Sequence, residues 1–147
     1  MEIIQKLPED VQRYIIPFTY NTQPKNLLRD IENYQYTLNN VIGAYKAEWT
    51  DEEEVYDWLI NDIFAWLNNN VPTMYGYVPT FYSVWSRFPP FQPYMPSHSV
   101  MNLYLRFFDK KSSITQIRVF WGLLTPFERN RFSLNPDFPS HWNMMNA

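Results

Sequence analysis

Cysteine is absent from all 147 positions of the chain. That excludes disulfide staples, thiol nucleophiles and every cysteine-based metal site, and it fits a reducing compartment. Glycine is almost as scarce, with three residues. Gly43, Gly76 and Gly122 lie far apart, so no glycine-rich loop is available to cradle a phosphate. There are two histidines, His98 and His141. Each adjoins a serine, but adjacency in sequence is not triad geometry, and no carboxylate spacing around them has the pattern of a metal site. No apolar run approaches the ~20 residues that span a bilayer. The start Met1-Glu2-Ile3-Ile4 has no basic stretch leading into an apolar run, so a secreted protein is not expected. The reading is therefore of a non-enzyme with no catalytic residues, cofactor, metal or membrane partner.

What the chain has in excess is rings. Phe, Trp and Tyr make up 19% of it. Each buries a large area, which favours either a rigid core or an adhesive surface. Charge is uneven as well. Residues 1–73 hold 12 acidic and 5 basic side chains, and residues 74–147 hold 3 acidic and 7 basic. The basic excess of the second half is too small to predict phosphate binding, so nucleic acid is not an expected partner.

The apolar pattern is mostly helical. From Pro24 to Glu48, Leu27, Leu28, Ile31, Tyr34, Leu38, Val41, Ile42 and Tyr45 recur in steps of three and four, which predicts one long amphipathic helix. Thr50 with Glu53 reads as a capping box for a second helix through Val55, Trp58, Leu59, Ile63, Phe64, Trp66 and Leu67. It ends at Asn68-Asn69-Asn70 and Pro72. The acids Asp51 to Glu54 suit the positive end of that helix better than they suit a metal, since consecutive residues do not share a face.

Residues 72–96 hold six of the twelve prolines and eight aromatic residues. A disordered linker would be poor in rings. An ordered irregular segment is expected, with a short helix near residues 80–88 and Pro89-Pro90 tending to polyproline II. It serves either as an exposed docking strip or as a wrap completing the core, and the core reading is preferred.

Beyond it, Ser97 or Ser99 caps a helix through Val100, Leu103, Tyr104, Phe107 and Phe108. Ser112 or Ser113 caps the next, with Ile114, Ile117, Phe120, Trp121 and Leu124 on one side. Thr125-Pro126-Phe127-Glu128 forms a capping box with proline at the first helical position, opening a short helix to about Phe132. Arg118, Arg129 and Arg131 interleave with Phe120, Trp121, Phe127 and Phe132. That mixture serves nucleic-acid stacking in some proteins; here it reads as core rings bordered by surface arginines. The expected fold class is mainly α: a single compact helical domain over 1–147, with a helical start at 1–48, the Pro/aromatic-rich irregular segment at 72–96 and C-terminal helices at 97–132.

The start holds the one legible docking pattern. Leu7-Pro8-Glu9-Asp10-Val11 precedes Tyr14-Ile15-Ile16-Pro17, and Pro24-Lys25-Asn26-Leu27-Leu28 opens the next helix. Proline and acids suit a first helical turn, and Val11, Ile15 and Ile16 share a face. This order resembles an F-box. The resemblance implies that Leu7, Pro8, Val11, Ile15, Leu27 and Leu28 line a surface engaging a Skp1-type linker of a ubiquitin ligase, with the aromatic second part holding a target. The alternative is that Leu7 to Leu28 simply packs on its own core. Leu7–Tyr34 and Phe120–Pro126 with Glu128-Arg129-Asn130 also resemble short proteins of large nucleocytoplasmic DNA viruses. That resemblance implies a structural or virion-associated protein, bound to another viral protein and placed in host cytoplasm or virion, and brings no activity with it. The two readings differ in partner; neither specifies an oligomeric state.

Overall fold

The computed structural model describes residue 8 and residues 25–91, 94–136 and 138. Contacts divide the chain into two units, Met1–Glu32 and Asn33–Ala147. Among the described residues there are six α-helices, two 3-10 turns and no strand, so the fold is mainly α as expected.

Helix α1 (Lys25–Glu48) crosses the unit boundary. Gly43 sits in its last third without breaking it, because one glycine costs a helix only about 1 kcal/mol. In the first unit, α1 contributes its opening turns, where Leu27, Leu28 and Ile31 are exposed. In the second unit its Leu38, Val41 and Tyr45 are buried.

Helix α2 (Glu52–Leu67) is capped by Asp51, whose carboxylate accepts from the Glu53 amide at 3.2 Å. The cap is thus one residue later than the Thr50 predicted: a carboxylate takes the role and Thr50 is left in the preceding bend. The helix stops where anticipated. Asn69 and Asn70 adopt φ of 54° and 60°, a left-handed backbone that asparagine tolerates better than most residues. Asn68, fully buried, organises the return. Its Nδ2 donates to the carbonyls of Val71 (2.7 Å) and Gly76 (3.0 Å), and its Oδ1 accepts from the Val78 amide (2.8 Å).

The Pro/aromatic segment is built from short pieces. A 3-10 turn, Thr73–Tyr75, ends at Gly76 with φ of 106°, which a side chain would resist. Helix α3 (Pro79–Trp85) follows, opened by proline at its first position. Pro89–Phe91 forms a second 3-10 turn, not the polyproline II stretch expected. Phe91 tucks back as the turn closes, its ring 5.3 Å from Trp85. The core reading holds for Phe81, Trp85 and Phe91, which are buried, while Tyr75 and Tyr94 project into solvent.

Helices α4 (His98–Phe108), α5 (Ser113–Leu123) and α6 (Pro126–Ser133) complete the second unit. Of the alternative caps, Ser97 and Ser112 are used, and the Thr125–Glu128 capping box with Pro126 forms as read. The α2 helix packs chiefly on α5, and α3 fills the space beside both. Trp85 stacks on Phe120 at 5.1 Å, and Phe64 meets Phe120 edge-on at 4.7 Å. Each such pair adds about 0.5–1.5 kcal/mol beyond its buried area, which explains a firm core in a chain with so many rings.

Candidate partner-binding surface

Helix α4 is held against the core by three contacts on one side. The Trp85 indole donates to the Met101 carbonyl at 3.1 Å, the Tyr82 hydroxyl donates to Asn102 Oδ1 at 2.9 Å, and the His98 ring stacks on Tyr82 at 3.9 Å. They fix the rotation of the helix. Met101 and Leu105 face inward and are buried, with Phe108 half-buried beside Trp85. Of the apolar residues the sequence strings along this helix, Val100, Leu103, Tyr104 and Phe107 are exposed, Leu103 to 48% and Phe107 to 58%, although the Tyr104 ring still meets buried Phe91 edge-on at 5.1 Å.

The outward residues fall at i, i+3, i+4 and i+7, one continuous ridge of a helix. Tyr94 and Met95, just before α4, are also exposed. At the other end lie Arg106, Lys110 and Lys111, all exposed. The Lys110 ammonium stands 5.7 Å over the Phe107 ring, so positive charge abuts the end of the apolar ridge. The arrangement offers apolar area with a positive charge at one end.

The residues predicted for docking stand as follows. Leu27 and Leu28 are exposed on the opening turns of α1, with Ile31 one turn on. Pro8 is exposed. Leu7, Val11 and Ile15 lie outside the described residues, as do His141 and the box-opening Pro24.

Polar groups elsewhere are occupied in holding the fold. Arg129, expected at the surface, is 2% exposed. Its Nε donates to the Trp121 carbonyl at 2.9 Å, a terminal nitrogen reaches Asn33 Oδ1 at 3.3 Å, and the guanidinium lies 5.3 Å over Tyr34. The Trp121 indole donates to Thr37 Oγ1 at 3.1 Å, which in turn donates to the Asn33 carbonyl. Phe127, read as core, is instead exposed, and Arg131 lies over its ring. The helix opened by Pro126 turns Phe127 away while Phe132 points in.

Two of the clefts in the second unit bring together polar side chains from separate helices. One, of about 240 Å³, is lined in part by Trp66, Ser83, Arg87, Glu128 and Arg131. Arg87 grips Glu128 through two bonds of 2.7 and 3.0 Å and also donates to the Leu123 carbonyl. Burial pushes the Glu128 carboxyl up, but the bonds from Arg87 and Thr125 outweigh it and hold the group below the usual carboxylate range. The other cleft, of about 400 Å³, includes Asp57, Asn61, Tyr77, Asp109 and Gln116. Burial first, then Asp109 and Tyr82, raises the Tyr77 phenol. Asp57 accepts from Ser113 Oγ. Among the described residues no group of three or more His, Asp or Glu is placed to hold a metal ion. None of the described helices is long and apolar enough to cross a membrane. Comparison of the chain with protein-family models, curated proteins and solved structures gives no match.

Proposed function

We propose that the chain is a protein–protein interaction module. The observation that supports this reading best is the outward ridge Val100-Leu103-Tyr104-Phe107 on α4, an apolar helix face left in solvent although the helix already has a full inward face. Large contiguous apolar surface of this kind marks recognition sites. A second support is the exposure of Leu27, Leu28 and Ile31. The finer reading is an F-box-like adaptor, in which Leu7, Pro8, Val11, Ile15, Leu27 and Leu28 engage a Skp1-type linker and α4 holds the target. The structural, virion-associated reading would use the same ridge to hold a viral protein.

Two experiments test this. A photoreactive phenylalanine analogue placed at Phe107, with one at exposed Thr115 as control, is irradiated in cells expressing the chain. Protein adducts at 107 but not 115 support the module; none at 107 refutes it. Co-expression with a Skp1-type protein, followed by size-exclusion chromatography with light scattering, tests the adaptor. A one-to-one complex lost on replacing Leu27 and Leu28 by Ser supports it, and separate elution of the two proteins refutes it.

A further inference from the structure

We infer that the α4 ridge receives an amphipathic helix from another protein, one whose acidic residues cluster at one end and lie against Arg106, Lys110 and Lys111. The inference rests on the reading of α4 as an interaction surface and names the partner's chemistry. An i, i+3, i+4, i+7 ridge is the complement of a second helix, because side chains in those rows interdigitate with a facing helix. Its length is that of α4, three turns.

Charge narrows the partner. The ion pairs among the described residues are Lys46–Glu52 and Arg87–Glu128. Arg106, Lys110 and Lys111 belong to neither; Lys110 stands over Phe107 at the C-terminal end of the ridge, and Arg106 and Lys111 are exposed beside Phe107 and Lys110 in the chain. The opposite end is bordered by Pro96, Ser97 and Ser99, with His98 stacked on Tyr82. Asp109, the one acid nearby in sequence, turns to the cleft it lines with Asp57 and Gln116. The ridge is thus apolar along its length, with a cation at one end and no Lys, Arg, Asp or Glu adjoining the other in the chain. A partner matching it is apolar on one face and acidic at one end.

A second copy of the chain fits less well. Face to face, two α4 ridges bring cations against neutral ends or against each other. The exposed Leu27, Leu28 and Ile31 of α1 are interleaved with Lys25 and Arg29 as well as Asp30 and Glu32, so their charge is balanced. The α2 helix has Glu52, Glu53 and Glu54 in its first turn, but its Val55, Leu59 and Ile63 are buried. A lipid surface fits less well too. Helices that lie on anionic membranes spread cations along a polar face, whereas α4 turns its other face into the core.

The test uses the full chain and two fluorescently labelled helical peptides of about three turns. Both have leucines at i, i+3, i+4 and i+7; one has three glutamates at one end, the other three lysines. Binding is read by anisotropy, and vesicles of phosphatidylserine and phosphatidylcholine are assayed by co-sedimentation. The acidic peptide is expected to bind at least about tenfold tighter than the basic one at low salt, with the preference shrinking as salt is raised. The Lys110→Glu, Lys111→Glu variant should reverse the preference. Phe107→Lys should abolish binding of both peptides. Both changes are at exposed positions, and an unchanged melting curve confirms that each variant is folded. Equal binding of the two peptides, or binding of neither, overturns the inference. So does vesicle binding without peptide binding, which assigns the ridge to lipid, or a dimer in light scattering that Phe107→Lys dissolves, which assigns it to a second copy. If adducts form at position 107 but the peptides are not discriminated, the inference fails and the module stands. If no adducts form, the module itself fails.

Discussion

Replacing Asn68 probes the junction that turns the chain from α2 into the proline-rich segment. The side chain is fully buried and makes three hydrogen bonds, two as donor to the Val71 and Gly76 carbonyls and one as acceptor from the Val78 amide. Asn68→Ala removes all three and leaves those backbone groups without partners. At about 1 kcal/mol for each hydrogen bond, the loss is about 3 kcal/mol. For a domain of this size that corresponds to a fall of very roughly 10 °C in melting temperature. Asn68→Asp sharpens the test. It preserves shape and the acceptor for Val78, but it turns the two-donor amide into a carboxylate facing two carbonyl oxygens. It should therefore destabilise at least as much as alanine at neutral pH and recover as the carboxyl is protonated in acid. Chemical denaturation at pH 7 and pH 4, followed by circular dichroism, measures both. An alanine variant within about 0.5 kcal/mol of the parent chain, the level of an ordinary surface change, would refute the assignment of Asn68 as the organiser of this turn. So would an aspartate variant more stable than the alanine one at pH 7.

Three further outcomes are expected. Glu128 has its pKa lowered by its bonds to Arg87 and Thr125 against the effect of burial, so its contribution is present above the ordinary carboxylate pKa and lost as pH falls through the lower folded value; Glu128→Gln should cost about 1 kcal/mol at pH 7 and flatten the acid limb of a stability–pH curve. Tyr45 is buried and donates to Asp62, and burial together with that carboxylate raises its pKa far above that of a free phenol, so its contribution to stability should be full below pH ~10 and decline above it; Tyr45→Phe should make the alkaline decline shallower, leaving the part due to Tyr77, while costing about 1–3 kcal/mol at pH 7, as denaturant titrations at pH 7 and pH 11 would measure. Leu103→Ser lies on the outward ridge and should change stability by less than about 1 kcal/mol, whereas Leu105→Ser, two residues on but buried, should cost about 3 kcal/mol or more in the same melt.

By itself the sequence determined where helices begin and end. Caps and breakers are local chemistry: Thr125 with Pro126 and Glu128, Ser112, Ser97 and the asparagines after Leu67 act on backbone groups within a few residues. Even the misplaced cap at Thr50 missed by one residue, because Asp51 competes for the same amides. Periodicity likewise picked out Leu38, Val41 and Tyr45 in α1 and Ile117, Phe120, Trp121 and Leu124 at α5. Only the tertiary structure decided which side of α4 is inside. Apolar residues cover more than half of that helix's circumference, leaving one side to His98, Ser99, Asn102 and Arg106, so its pattern supports more than one inward face, and the choice falls to groups distant in sequence: the Trp85 indole and the Tyr82 ring and hydroxyl, on which His98 stacks. The burial of Arg129 was hidden for the same reason. Its acceptors, the Trp121 carbonyl and Asn33, are brought to it by packing of α1 against α5 and α6 within the second unit, and no local rule anticipates an arginine satisfied in a core. Local hydrogen bonding is written in neighbouring residues, whereas the sidedness of an apolar helix depends on what else folds against it.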